Sequence, residues 1–192
     1  MNTRLQSILE LSYSFSAIDR DIYYPGRNKP ENDVEHSYQL AFMAWHIIET
    51  DKLLLDQAKV FKLCLAHDLV EIYAGDVPLW GKEGHDEKDT REKEALQVLK
   101  SKFSDRKEMT DAIVEYKERK TEEAKFVYGL DKLLPFLTQL NTEGRIWKAH
   151  DISLERALGK LEVHVQASAY LEKYFLESME FMKGNKERFF NN

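Results

Sequence analysis

Apolar positions recur along this chain at helical intervals and almost nowhere in alternation. Leu5, Ile8, Leu9 and Leu11 fall three to four residues apart or adjacent, which predicts a first helix over 3–17. Tyr24-Pro25-Gly26 breaks that pattern, and Pro30 keeps the connection irregular. Asp33 stands where an N-cap belongs, with Glu35 in the first turn where the helix dipole favours a carboxylate, so a second helix is expected over 34–49. His36, Leu40, Met43 and Ile47 share one of its faces. Residues 56–73 predict the most apolar helix, because Val60, Phe61, Leu63, Leu65, Leu69, Val70 and Ile72 cover nearly its whole circumference. A helix apolar all round is normally buried. Gly75-Asp76-Val77-Pro78 ends it, and a loop with Gly81 and Gly84 follows. Charged surface helices are expected at 86–103 and 107–119, a further helix at 122–140, and a long final one from Ser153 to 183. No segment alternates with period two, so the predicted fold class is all-α.

Composition narrows the function classes. The chain has 192 residues, with four prolines, eight glycines, no repeat and no Gly/Ser/Pro linker, which suggests one domain over 1–192. The single cysteine, Cys64, rules out an internal disulfide framework and makes a reducing, cytoplasmic setting the expectation. Neither a signal-peptide pattern nor an apolar run long enough for a bilayer is visible, so no membrane partner is expected. A net charge of −6 speaks against a nucleic-acid surface. An anionic substrate is compatible with it only if local cations or a metal offset the overall field.

Candidate chemistry concentrates in Ala66-His67-Asp68-Leu69-Val70-Glu71, inside the apolar helix. On ideal geometry Glu71 lies about 40° and Asp68 about 100° around from His67, so three ionisable groups crowd one arc. Burying them without partners would cost several kcal/mol each, and a divalent cation compensates well by taking imidazole and carboxylates as ligands. His-Asp alone is weak evidence, since it recurs at His85-Asp86 and His150-Asp151 in polar, loop-like surroundings. Two residues strengthen the first pair: His36 at the start of the second helix, and Asp131 in the apolar run Leu130-Asp131-Lys132-Leu133-Leu134. Read alone, His67 is a core histidine bonded to Asp68, His36 a helix-start histidine, and Asp131 half of a salt bridge. Together they form a set of two imidazoles and two carboxylates.

The order His36 … His67-Asp68 … Asp131 resembles the signature of HD-domain metal-dependent phosphohydrolases, and the 5′-deoxynucleotidase branch in particular. The likeness is carried by Glu35-His36-Ser37, by His67-Asp68-x-x-Glu71-x-x-x-Gly75-Asp76-Val77-Pro78, by the charged run 87–96 and by Asp131-Lys132-Leu133, covering 15–140. The final third, about residues 150–190, matches no motif. The resemblance implies an HD-domain helical bundle, in which His36, His67, Asp68 and Asp131 hold one divalent ion per chain (Mn, Co, Zn, Fe or Ni). Its water would be activated as hydroxide near neutral pH. It also implies that Glu71 orients or deprotonates the attacking water and that Asp76 reaches the 3′ side of the sugar. A phosphate-holding arginine belongs upstream of His36, and both Arg20 and Arg27 qualify. The expected substrate is a nucleoside 5′-monophosphate, 2′-deoxy favoured, and the expected assembly a homodimer.

Rival readings are another HD hydrolase acting on a phosphodiester or nucleotide polyphosphate, a diiron oxygenase on the same scaffold, or a metal-stabilised module without catalysis. The oxygenase would need more histidine ligands, and the module would not need Glu71 or Asp76. Cys64 is expected as a small packing group near the site, His85 as a solvent-exposed histidine rather than a second metal ligand, and Trp80 and Trp147 as base covers or core.

Overall fold

The computed structural model describes residues 3–77, 80 and 85–191, the side chains of His85 and Asp86 excepted. Helix α1 (Thr3–Ser16) leads into two short strands, β1 (Asp19–Tyr23) and β2 (Pro30–Asn32), paired antiparallel with Asp19 opposite Asn32 and Tyr23 opposite Pro30. The chain then builds α2 (Asp33–Asp51), α3 (Gln57–Ala66), α4 (Glu71–Ala74), α5 (His85–Lys102), α6 (Lys107–Glu118) and α7 (Glu122–Asn141). The C-terminal part holds α8 (Arg145–Ala149), α9 (Leu154–Val165), a 3-10 turn (Ala169–Leu171), α10 (Glu172–Gly184) and α11 (Lys186–Phe189). The architecture is an all-α bundle carrying one small hairpin. None of its described helices is long and apolar enough to cross a membrane.

Five expectations need correction. The Tyr24-Pro25-Gly26 break is the turn of the hairpin, whose strands are too short and too polar to show an alternating pattern. Asn32, not Asp33, caps α2: its side chain accepts from the Glu35 amide at 3.0 Å, and the Glu35 carboxylate accepts from the Asn32 amide at 3.2 Å. Asp33 is instead the first helical residue and is buried.

The apolar helix stops at Ala66. Residues 67–70 form tight turns, with the Leu69 amide bonded to the Ala66 carbonyl and the Glu71 amide to Asp68. The Cys64 carbonyl, which a continuing helix would give to the Asp68 amide, accepts from His67 Nδ1 at 2.9 Å. The expected final helix is likewise two, α9 and α10. Its break lets Leu171 bury against Gly129 of α7, where any side chain at 129 would crowd Leu171 Cδ1 to 2.8 Å. Finally, His85-Asp86 opens helix α5 rather than lying in a loop, whereas His150-Asp151 does follow a helix end.

The core runs between α2, α3, α6 and α7, through Leu40, Ile47, Leu63, Cys64, Ile113, Leu130 and Leu133. Ala157, Leu161 and Val165 seat α9 on this bundle. The C-terminus closes over α8: Trp147 sits 5.0 Å from both Phe136 and Phe190, stacked on the latter. Gly144 is required there, because its φ is +69° and a Cβ would overlap the Phe189 carbonyl.

Candidate active site

Three segments converge at one end of the core. Helix α2 brings His36 in its first turn, the turn after α3 brings His67 and Asp68, and the middle of α7 brings Asp131. All four are buried, and one potential ligand atom from each lies within 4.8 Å of the others. His36 Nε2 stands 2.9 Å from Asp131 Oδ1, and His67 Nε2 stands 2.9 Å from Asp68 Oδ2 and 3.6 Å from Asp131 Oδ1. Because a carbonyl can only accept, His67 Nδ1 carries a proton towards Cys64, which leaves Nε2 as the ring atom that faces the carboxylates.

The charges here do not balance among themselves. Asp33, Asp68 and Glu71 form a second buried group of carboxylates beside the first, and Glu31 adjoins both. Arg20 of β1 reaches into it, its Nη1 lying 3.0 Å from Asp33 Oδ1 and 2.7 Å from Asp68 Oδ2, with Nε 3.4 Å from Glu31 Oε1. Burial opposes ionisation of Asp131, but Lys132 and the two histidines outweigh it and hold the carboxyl well below its ordinary range. Burial likewise opposes charge on His67, yet Asp68 and Asp131 push it up to about 10. Burial and the Asp68 charge raise Glu71, and the same pair of causes lifts Asp33 to about 6. Asp76 is raised by burial against the pull of Arg20.

His67 Nε2, His36 Nδ1, Glu31 Oε1, Asp33 Oδ2 and Glu71 Oε2 are buried with no aligned hydrogen bond, although Asp68 Oδ2 lies only 2.9 Å from the first of them. Close approach without hydrogen-bond direction is costly in a polar cluster and is relieved by a cation that each lone pair can address. Two imidazole nitrogens and two carboxylate oxygens make a mixed donor set suited to a borderline transition metal. The residues present therefore fit a divalent ion.

A cavity of about 440 Å³ opens beside this cluster, within the range of small-molecule sites. His67, Asp68, Glu71, Asp76, Asp131 and Arg20 line it. Arg27 does not: it sits exposed near the hairpin turn, bound to Glu35 at 2.9 Å and stacked over Tyr24. Cys64 packs in the core with its thiol pushed up by burial. Trp80 and Trp147 both line the cavity, Trp147 from a position buried in the core. The side chain of His85 lies outside the described residues.

Several wall residues escaped sequence reasoning. Tyr116 of α6 donates its hydroxyl proton to Asp131 Oδ2 at 2.6 Å, and the Lys132 ammonium stands 2.7 Å from the same oxygen. Lys132 had a signal in its adjacency to Asp131, but nothing in the spacing marked Tyr116. Lys160 and His164 reach the cavity from α9, in the third of the chain that matched no motif.

The family model described as HD domain matches residues 18–171. The chain is 31% identical over 143 residues to the "5′-deoxynucleotidase HDDC2" of Xenopus laevis, covering 73% of this chain and 65% of that protein. It is 34% identical over 111 residues to the mouse protein of the same name, covering 57% and 54% of the two. The matched segments thus span between half and two thirds of these vertebrate relatives. A relative of Schizosaccharomyces pombe, "5′-deoxynucleotidase hdd1", is 24% identical, with 86% of this chain and 85% of that one covered. Among solved structures, a "predicted metal-dependent phosphohydrolase" of Magnetospirillum magnetotacticum MS-1 is similar with a TM-score of 0.83 and 26% identity, over 98% of this chain and 94% of that one.

Proposed function

The chain belongs to the HD domain family, and from that premise we propose that it is a metal-dependent phosphomonoesterase releasing phosphate from nucleoside 5′-monophosphates, with 2′-deoxy substrates favoured. The observation that carries the reading is the buried set His36, His67, Asp68 and Asp131, grouped within 4.8 Å, of which the last three line a cavity of small-molecule size together with Glu71. These four residues would hold one divalent ion, which when bound supplies Lewis acidity towards the phosphoryl group and an acidified water.

The remaining roles belong to this chain's own side chains. Glu71 is buried beside Asp68 but is not needed among the four donors, and its raised proton affinity suits a group that takes a proton from the attacking water. Asp76 follows Gly75 at the end of α4 and lines the cavity, where it accepts a hydrogen bond from the 3′-hydroxyl of the sugar. Arg20 holds Asp68 and Asp33 in place. We read residues 1–192 as one domain, since α9 packs on α7 and walls the same cavity. A cytoplasmic homodimer with no nucleic-acid partner accords with the reading.

The test is phosphate release from paired deoxy- and ribonucleoside 5′-monophosphates, each with Mn, Co, Zn and Mg, alongside a nucleotide diester and a triphosphate. Turnover of monophosphates alone is expected; turnover confined to the diester or the triphosphate would overturn the assignment.

A further inference from the structure

Helix α7 runs along the cavity from one end to the other. Asp131 and Lys132 line it beside the buried His/Asp cluster, and Pro135 and Gln139 line it one and two turns further on. On ideal geometry Pro135 lies about 40° and Gln139 about 80° around from Asp131, with about 12 Å of rise between the first and the last. One face of α7 is therefore long enough to lie beside a mononucleotide from its phosphate to its base.

The end near Gln139 differs in character from the metal-binding end. Phe136 and Trp147, both buried, have ring centroids 5.0 Å apart there, and with Pro135 they offer apolar surface. Gln139 is the polar group among them. It is 2% exposed, and its Oε1 accepts from the Ile146 amide in the first turn of α8 at 2.8 Å. A backbone N–H can only donate, so this bond fixes which side of the carboxamide carries the oxygen. Nε2 is turned away from that amide and is buried with no acceptor among the described residues. Folded proteins leave few buried donors unpaired, and this one borders a cavity from which a ligand can supply the missing acceptor.

We infer that Gln139 reads the nucleobase, its Nε2 donating to a carbonyl at the 6-position of a purine or the 4-position of a pyrimidine, so that keto bases are preferred over amino bases. The inference rests on the proposed phosphomonoesterase reading and adds a specificity-determining residue to it. Thymine, uracil, guanine and hypoxanthine present an oxygen at that corner, whereas adenine and cytosine present an amino group. The amino group would set donor against donor, and Oε1 cannot turn to meet it without giving up the Ile146 amide. Between Pro135, Phe136 and Trp147 a mismatched polar pair stays unpaired, which is how one hydrogen bond discriminates between substrates.

The test compares kcat/KM for deoxyinosine and deoxyadenosine 5′-monophosphates, which differ only at the 6-position and the adjoining nitrogen, on the full chain with Mn²⁺. The deoxyinosine substrate should be favoured by about tenfold, the scale of one hydrogen bond made against one left unmade. The purine analogue with hydrogen at the 6-position should fall well short of it. Gln139→Met has similar length and no donor, and it should bring the ratio close to one at unchanged metal content. A ratio taken on one preparation does not depend on how much of it is folded, and if this variant does not fold at all the purine analogue decides. A wild-type ratio near one, an unsubstituted purine as good as the keto substrate, or a preference that survives Gln139→Met would each overturn the inference. If no monophosphate is hydrolysed, the phosphomonoesterase reading fails, and calorimetric affinities of the same two nucleotides for the wild-type chain decide the subsite. A preference for deoxyinosine monophosphate then upholds it, and equal affinities or no binding overturn it.

Discussion

The Tyr116 hydroxyl donates to Asp131 Oδ2 at 2.6 Å, from a ring that also lies edge-on to His67 with centroids 5.2 Å apart. This contact, together with Lys132 on the same oxygen, holds the carboxylate so that its other oxygen, Oδ1, points between His36 and His67. Burial and the adjacent Asp131 charge together push the Tyr116 phenol well above its ordinary range, so it remains a donor at any working pH. Orientation of a ligand carboxylate by a neutral donor is how outer residues tune a metal site.

Metal content should follow that arrangement. Protein purified without chelator is expected to carry close to one transition-metal ion per chain, measured by elemental analysis. His67→Ala and Asp131→Ala should each lower both the metal content and the Tm, because the ion's binding free energy is part of the folded state's stability. Tyr116→Phe keeps all four donors and should weaken metal affinity by about 10–100-fold. Metal-free wild-type protein with full activity would sink the metal assignment altogether.

Recognition of the sugar is expected to depend on Asp76. Its carboxylate is half-buried at the cavity wall just after Gly75, whose φ of +76° turns the chain out of α4. Asp76→Ala should reduce kcat/KM for deoxynucleotides and leave metal content intact. An Asp76→Ala variant with unchanged kcat/KM on deoxynucleotides would reject this role for Asp76 and leave phosphate release standing.

The sequence foretold the helices whose apolar faces meet the core, because Leu40, Leu63 and Leu130 must recur at helical spacing to be buried. It did not foretell the break at His67, because the competing bond from the imidazole to the Cys64 carbonyl leaves no mark on the apolar pattern. The 40° estimate for Glu71 assumed a continuous helix, whereas tight turns at 67–70 swing it towards Asp33 and Asp68. The polar cluster was legible in part, since His and Asp within apolar runs carry a desolvation cost that demands explanation. Glu31, Asp33 and Tyr116 were not, being ordinary residues in ordinary contexts until tertiary packing brings them together. Lys160 and His164 belong to a helix whose polar positions look like any solvated face.

A pH dependence of stability should trace to His164. Its pKa is about 4 in the folded protein against 6.5 for an unperturbed histidine, so between those values the unfolded chain binds more protons than the folded one. Stability from this group is therefore complete above about pH 6.5 and declines as the pH falls towards 4. His164→Gln can still bond the Tyr128 hydroxyl but has no proton to gain. Its Tm should fall less steeply than wild type over that window, the difference between the two profiles cancelling what the carboxylates contribute to both. Parallel profiles would show that His164 titrates normally and that burial and the nearby Lys132 and Lys160 do not depress it.

Glu71 carries the sharpest prediction, because its position separates a base from a ligand. It begins α4 within the Asp33, Asp68 and Glu71 group, is 5% exposed, and keeps Oε2 without an aligned hydrogen bond. Burial and the Asp68 charge raise its proton affinity, which brings a carboxylate closer to the working pH of a general base. Only the ionised form takes a proton from the attacking water, so the wild-type rate should rise with pH as Glu71 ionises. Glu71→Gln preserves size and hydrogen bonding but cannot accept that proton. The fold and the metal content should hold, KM should change little, and kcat should fall by about 10²–10⁴. The rising limb of the pH profile should vanish with it. Loss of the ion from this variant would make Glu71 a ligand and the four-residue set incomplete. Retention of metal together with full activity would mean that another group receives the proton.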